Sequence, residues 1–182
     1  IAGLVISSKK HIKLDTRIKK DEKLKFIDML TSLKNRNYLN EKINIWNKNT
    51  IYPQGIIVID LNNVKYLNDT FGHEAGDKAI KAEAEILKKI FKSSDVIGRL
   101  GGDEFAIVAP EMQLEDFAAR KNLLNEECRK YNESEEDPFI LSISMGCTEF
   151  SAVNSSIDDL LKKADEELYK EKREKKSLKE GR

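Results

Sequence analysis

The chain has 182 residues, 40% of them apolar and 35% charged, enough for one well-solvated domain with a sizeable core and a short appendage. Its 32 basic and 32 acidic side chains cancel, so no global field steers it towards nucleic acid or acidic lipid. Two isolated cysteines, Cys128 and Cys147, and two histidines supply neither a zinc set nor a disulfide framework, and they fit a reducing cytoplasm.

The first six residues, Ile1 to Ile6, are apolar, and Lys9, Lys10, Lys13, Arg17, Lys19, Lys20, Lys23 and Lys25 follow. Six residues cannot cross a bilayer, which needs about 20. A basic run directly after an apolar stretch is the pattern at the cytoplasmic end of a transmembrane helix, and we favour that over the apolar end of a soluble helix. The expected setting is a cytoplasmic domain of a membrane-anchored protein. From Lys10 to Leu30 the periodicity predicts a stalk helix, with residues 1–27 as stalk or linker. Its narrow seam of Ile12, Ile18, Leu24 and Ile27 could pair two copies as a short coiled coil.

Asp28-Met29-Leu30-Thr31-Ser32-Leu33-Lys34-Asn35-Arg36 breaks that helix, because Thr31 and Asn35 are cap and turn formers. Asp28 and Arg36 are expected to pair across the break. An amphipathic helix follows through Leu39, Ile43 and Trp46, with Trp46 expected in the core. Gly55 to Leu61 is a β-branched run that reads as a strand buried on both faces, and it ends at Asp60. A carboxylate fixed at the end of a rigid strand suits a metal ligand, and a helix cap is the structural alternative. Ala75 to Phe91 is expected as an amphipathic helix with Ala79, Ile80, Glu83, Ile86, Leu87 and Ile90 along its seam.

The next segments carry the acidic turn. Asp95 to Leu100 and Glu104 to Ala109 read as two strands joined through Gly101-Gly102, whose positive φ a tight hairpin needs. Asp103 and Glu104 stand at its shoulder, where glycines let a ligand approach the backbone. Taken alone, Gly-Gly-Asp is also an ordinary turn. Glu115 to Tyr131 predicts a helix, residues 132–138 an acidic loop, and residues 139–148 a further strand that contains Cys147, expected buried and inert. Ile157 to Tyr169 closes the chain as a helix, with Lys172 and Lys176 beyond it, four residues apart and so on one helical face.

These segments, taken together, resemble the GGDEF family of diguanylate cyclases. Gly101-Gly102-Asp103-Glu104-Phe105 is the signature itself. Residues 28–36 resemble D-x-L-T-x-L-x-N-R, residues 60–77 resemble D-x-D-x-F-K-x-x-N-D-x-x-G-H-x-x-G-D, and the end of the chain resembles L-L-x-x-A-D-x-x-L-Y followed by A-K-x-x-G-R. The likeness runs from about Asp28 to Lys176, assigned as the catalytic domain, with 177–182 as a basic tail. Departures are visible: Asn62 stands for the second Asp, Asn63-Val64 for the aromatic before Lys65, and Glu171, Lys175 and Lys176 for the Ala, Gly and Arg of the last motif.

The resemblance implies an α+β fold: a mainly antiparallel central sheet wrapped by helices, akin to nucleotidyl cyclases and polymerase palms, behind an N-terminal stalk helix. It implies condensation of two GTP into cyclic di-GMP with release of two pyrophosphates. Mg²⁺ or Mn²⁺ would sit on Asp60, Asp103 and the carbonyl of Leu61. Glu104 would complete a second metal site or assist deprotonation, and Lys65, Lys172 and Lys176 would offset phosphate charge. Asn68 and Asp77 would recognise guanine, since an Asp accepts from N1–H and the 2-amino group and adenine lacks that donor pair; His73 would line the same pocket or cap a helix. Each domain holds one GTP, so catalysis needs a homodimer, aligned by the stalk and by an upstream sensor or membrane domain. Lys92 and Asp95 match the product-binding R-x-x-D motif, but a lysine lacks the bidentate fork of arginine, so weak product feedback is expected. The alternatives are a GTP-binding regulatory module without turnover and a nucleic-acid-binding ferredoxin-like module. Zero net charge and no basic-aromatic strand face speak against the second, and no nucleic-acid partner is expected.

Overall fold

Gly55–Leu61 forms β2, and every one of its seven residues is buried. In the computed structural model, which describes residues 25–49, 55–91, 95–110, 112, 114–134, 137–150 and 156–180, β2 lies inside a five-stranded sheet of order β1-β3-β4-β2-β5. The other strands are β1 (Lys34–Asn35), β3 (Val96–Gly101), β4 (Glu104–Ala109) and β5 (Ile143–Glu149). β1 runs parallel to β3, and the remaining pairings are antiparallel, as expected of a mainly antiparallel palm-like α+β sheet. The helices are α1 (Arg36–Asn49), α2 (Val64–Phe71), α3 (His73–Ile90), α4 (Leu114–Glu133) and α5 (Ile157–Glu180).

Strand alternation sorts the core into two layers. Ile57, Ile59, Phe105 and Ile107 face α3 and α4, meeting Ala79, Leu87 and Leu124. Ile56 and Val58 face Ile43 of α1 and Leu160, Ala164 and Leu168 of α5, and Ala106 and Val108 on that side meet Leu39. Gly146 of β5 lets α5 lie directly on the sheet: a Cβ there would fall 1.9 Å from the Ala164 carbonyl oxygen and 2.3 Å from the Leu168 amide nitrogen. This close approach carries the C-terminal half of α5 across the end of β2.

Several expectations need correction. The stalk helix lies largely outside the described residues; within them Lys25 and Phe26 are helical, but Ile27 already bridges to Lys34, so the helix does not reach Leu30. Asp28 does not pair with Arg36. Its carboxylate accepts from the Thr31 amide (2.9 Å) and hydroxyl (2.7 Å) and from Arg99 Nη1 (3.2 Å), while Arg36 Nε donates to the Leu100 carbonyl at 2.7 Å. Asn35 does cap α1, accepting from the Tyr38 amide at 3.1 Å. The last strand starts at Ile143 rather than 139, because the Asn132 side chain takes both backbone groups of Leu141 (2.9 and 2.7 Å) and leaves no ladder partner there. Gly72, at φ 86°, separates α2 from α3, two helices where one was expected. Trp46 is half-buried against both clusters of the α1/α5 face. Cys128 and Cys147 are buried, and burial pushes both thiols up to about 12. Among the described residues no helix is long and apolar enough to cross a membrane.

Candidate active site

The site is assembled where β2 ends against the β3–β4 hairpin. Gly101 (φ 145°) and Gly102 (φ 55°) supply backbone angles that side chains resist, so the chain reverses over Gly102-Asp103 with a register shift after Arg99. Phe105, wholly buried, anchors β4 beneath the turn. Arg99 fastens the tip from below: its Nε and Nη2 donate to the Gly102 carbonyl (3.0 and 2.7 Å) while its Nη1 reaches Asp28. The Leu61 amide then donates to the Asp103 carbonyl at 3.0 Å, which seats the acidic turn on the end of β2. Asp60 is paired in register with Glu104, so their side chains emerge on the same face.

That face is the α1/α5 side, and two cations meet it. Lys172 Nζ lies 2.6 Å from Asp60 Oδ2, and Arg36 Nη2 lies 3.9 Å from Glu104. Asp60 is 7% exposed; burial raises its carboxyl pKa above the ordinary value, Lys172 works against that rise, and Asp103 and Glu104 add to it. Two carboxylates and the nearby acid therefore repel one another at a spot that a cation relieves.

A cavity of about 470 Å³ opens from this point, lined by Asp60, Asp103, Lys65, Lys172, Lys175 and Lys176 among others. Asn63, at φ 64°, turns the backbone from β2 into α2 and brings Lys65 to the rim. Asn62 also lines the cavity, with its side chain turned to β5: its Nδ2 donates to Ser142 Oγ and its Oδ1 accepts from Ser144 Oγ, both at 3.1 Å. It ties β2 to β5. Asn68, His73 and Asp77 do not line this cavity; they lie at the corner of α2 and α3. There the Asn68 amide rests over Gly76, so that a Cβ on Gly76 would come 2.0 Å from Asn68 Oδ1, and Asp77 is the next residue, exposed. His73 is the exposed first residue of α3 and follows Gly72, which holds the cap position. Asp95 precedes β3, whereas Lys92 lies outside the described residues.

The donor set fits a divalent ion of the Mg²⁺ type. Among the described residues no three His, Cys, Asp or Glu side chains converge as a protein-only ligand set. Mg²⁺ does not need one, since it commonly takes one or two carboxylates and completes its shell with water and substrate phosphates. Asp60 and Asp103 offer two such carboxylates at this cavity, with Leu61 lining it beside them.

Three contributors escaped the sequence. Arg99 looked like an ordinary strand residue. Lys175 stood in the last motif only as a departure, at the position of its glycine. Glu83 was placed on the seam of α3, and its carboxylate is 0% exposed with neither oxygen hydrogen-bonded. Burial first, then Asp60 and Asp103, push its pKa well above the ordinary value. A carboxylate at an apolar heptad-like position was the one available signal.

The fold and the hairpin define a palm-like α+β domain with an acidic turn at the end of its central strand. The chain belongs to the family described as diguanylate cyclase, GGDEF domain, whose pattern matches residues 25–178. It is similar to the diguanylate cyclase DgcP of Escherichia coli K12, 31% identical over 159 residues covering 82% of this chain and 45% of that protein. It is also similar to the diguanylate cyclase DosC of the same strain, 33% identical over 152 residues, 81% of this chain and 33% of that one. The chain thus spans less than half the length of these curated relatives. Among solved structures, the coiled coil and GGDEF domain of DgcB from Caulobacter crescentus, in complex with c-di-GMP, superposes with a TM-score of 0.83 at 23% identity, covering 94% of this chain and 93% of that one.

Proposed function

We propose that this domain is a diguanylate cyclase that condenses two GTP into cyclic di-GMP and releases two pyrophosphates, as the output unit of a larger signalling protein. One observation carries the proposal: Asp60 and the Asp103-Glu104 turn are locked side by side, with Lys172 within reach of Asp60. That is a place for a triphosphate and its cation. A divalent ion bound there would neutralise phosphate charge and make the ribose 3′-OH easier to deprotonate.

This chain's own residues do the rest. Asp60, Asp103 and the Leu61 carbonyl would hold the cation. Lys172, which pairs with Asp60 here, would turn to a phosphate oxygen, and Lys65 and Lys176 would add positive charge around the triphosphate. Glu104, on the same face as Asp60, would accept the proton of the attacking hydroxyl or ligate a second ion. Asn68 and Asp77 hold the guanine edge, with His73 beside them. Each bond joins a 3′-oxygen of one GTP to the α-phosphorus of the other, so two domains must face each other as a homodimer. An upstream segment would set that alignment. Product feedback through Lys92 and Asp95 would be weak, for want of the arginine fork.

The test is chromatography of GTP and Mg²⁺ incubated with wild type and Asp103→Ala at high protein concentration. Cyclic di-GMP from the wild type alone supports the proposal. A second reading, a GTP-binding regulatory module with little turnover, draws on Asn62, whose side chain is spent on Ser142 and Ser144. Tight GTP binding without product would favour it.

A further inference from the structure

Helix α5 brings three lysines to one stripe, Lys172, Lys175 and Lys176, at spacings of three and four residues. All three line the cavity at Asp60 and Asp103, with Lys65 opposite on α2, so four ammonium groups face two carboxylates. The surplus positive charge suits a polyphosphate. In the family pattern the position of Lys175 is a glycine and that of Lys176 an arginine. Here neither residue is present, and α5 continues without a break to Glu180, which keeps Lys175 on the cavity side.

Lys175 is also held in a way that makes it easy to release. Its Nζ lies 2.7 Å from Glu171 Oε1 and donates to the Ile143 carbonyl at 2.5 Å. Glu171, only 9% exposed, has a second cation: Lys121 Nζ at 2.5 Å from Oε2. When Lys175 swings to an anion, Glu171 keeps Lys121 and no buried carboxylate is stranded.

We propose that Lys175 is a further phosphate-binding residue of this site, a third lysine on α5 that takes over part of the role an arginine at 176 would play. The inference rests on reading the cavity as the GTP triphosphate site. Two lysines that approach from different points of the helix can contact two phosphate oxygens where one arginine would have used its fork.

The experiment is calorimetric binding of a GTP analogue with an uncleavable α–β bridge, and of GMP by competition, each with Mg²⁺. The proteins are wild type, Lys175→Ala, Lys175→Gln, Lys175→Arg and Lys172→Ala. Lys175→Ala and Lys175→Gln are expected to bind the analogue about five- to tenfold more weakly, with Lys175→Arg close to wild type and GMP affinity unchanged in all three Lys175 variants. Lys175→Gln can still donate to the Ile143 carbonyl, so it carries the test if Lys175→Ala fails to fold. Wild-type affinity in both variants, while Lys172→Ala is weakened, overturns the inference and leaves the site intact. An equal loss for GMP also overturns it, since a merely structural lysine would damage both ligands alike. Wild-type affinity in Lys172→Ala as well would sink the reading of the cavity itself.

Discussion

Replacing Glu83 should make this protein more stable. Its carboxyl is fully buried on α3, both oxygens lack a hydrogen-bond partner, and the negative charges of Asp60 and Asp103 repel it from the end of β2 and the hairpin. An unsatisfied buried polar group costs about 1–3 kcal/mol, and a leucine of similar size would add apolar burial, so Glu83→Leu should gain roughly 2–4 kcal/mol. For a chain of this length that raises Tm by on the order of 5–15 °C. The pH dependence follows from the sign of the shift. Burial raises the folded-state pKa above the ordinary 4.5, so the contribution of Glu83 is intact below pH 4.5 and fades as pH rises towards the folded value. Over that window the wild type should lose up to about 1.4 kcal/mol per pH unit relative to Glu83→Gln, which has no proton to lose. Urea unfolding of wild type, Glu83→Gln and Glu83→Leu between pH 4.5 and 8 measures both effects. Parallel pH profiles for wild type and Glu83→Gln, with Glu83→Leu less stable, would refute the reasoning, because the carboxylate must then have a partner that offsets its burial.

Further outcomes follow from the same geometry. Gly146→Ala should lift α5 off β5, since the new Cβ meets backbone rather than a flexible side chain, and its loss of about 2 kcal/mol or more in urea unfolding should come with weaker GTP binding. Asp28→Ala removes the acceptor for Thr31 and Arg99 and should cost about 1–3 kcal/mol at pH 7. Burial opposes ionisation of Asp28, but Thr31 and Arg99 outweigh it and hold the carboxyl below the ordinary 3.8, so this stability is present above pH 3.8 and vanishes as pH falls through the folded value. Acid unfolding of the two proteins should therefore converge at low pH.

The parts of this fold that were legible from sequence are those fixed by local chemistry. The β-branched run of β2 could only be a buried strand, paired glycines before two acids could hardly be anything but a turn, and Asn35 behaves as the helix cap its side chain favours. What was not legible depends on partners far along the chain. The start of β5 was moved by Asn132, nine residues before Leu141, and Asp28 chose Arg99 over Arg36 because the β3–β4 hairpin brings Arg99 beneath the tip. Glu83 fits the seam by spacing and contradicts it by charge, a conflict that periodicity records but cannot resolve. Lys175 could be weighed only once α5 was seen to run on past the position of the missing glycine.

The most direct test of the central claim is the rate of cyclic di-GMP formation from GTP and Mg²⁺ as a function of protein concentration, followed by chromatography. If two domains must face each other, the rate per protein should rise with concentration, reach a plateau when a strong coiled coil is fused to the N-terminus, and vanish in Asp103→Ala in either form. Product formed at a concentration-independent rate, or formed equally by Asp103→Ala, would contradict the account. GTP bound without product even in the fused dimer would assign the domain to regulation rather than synthesis.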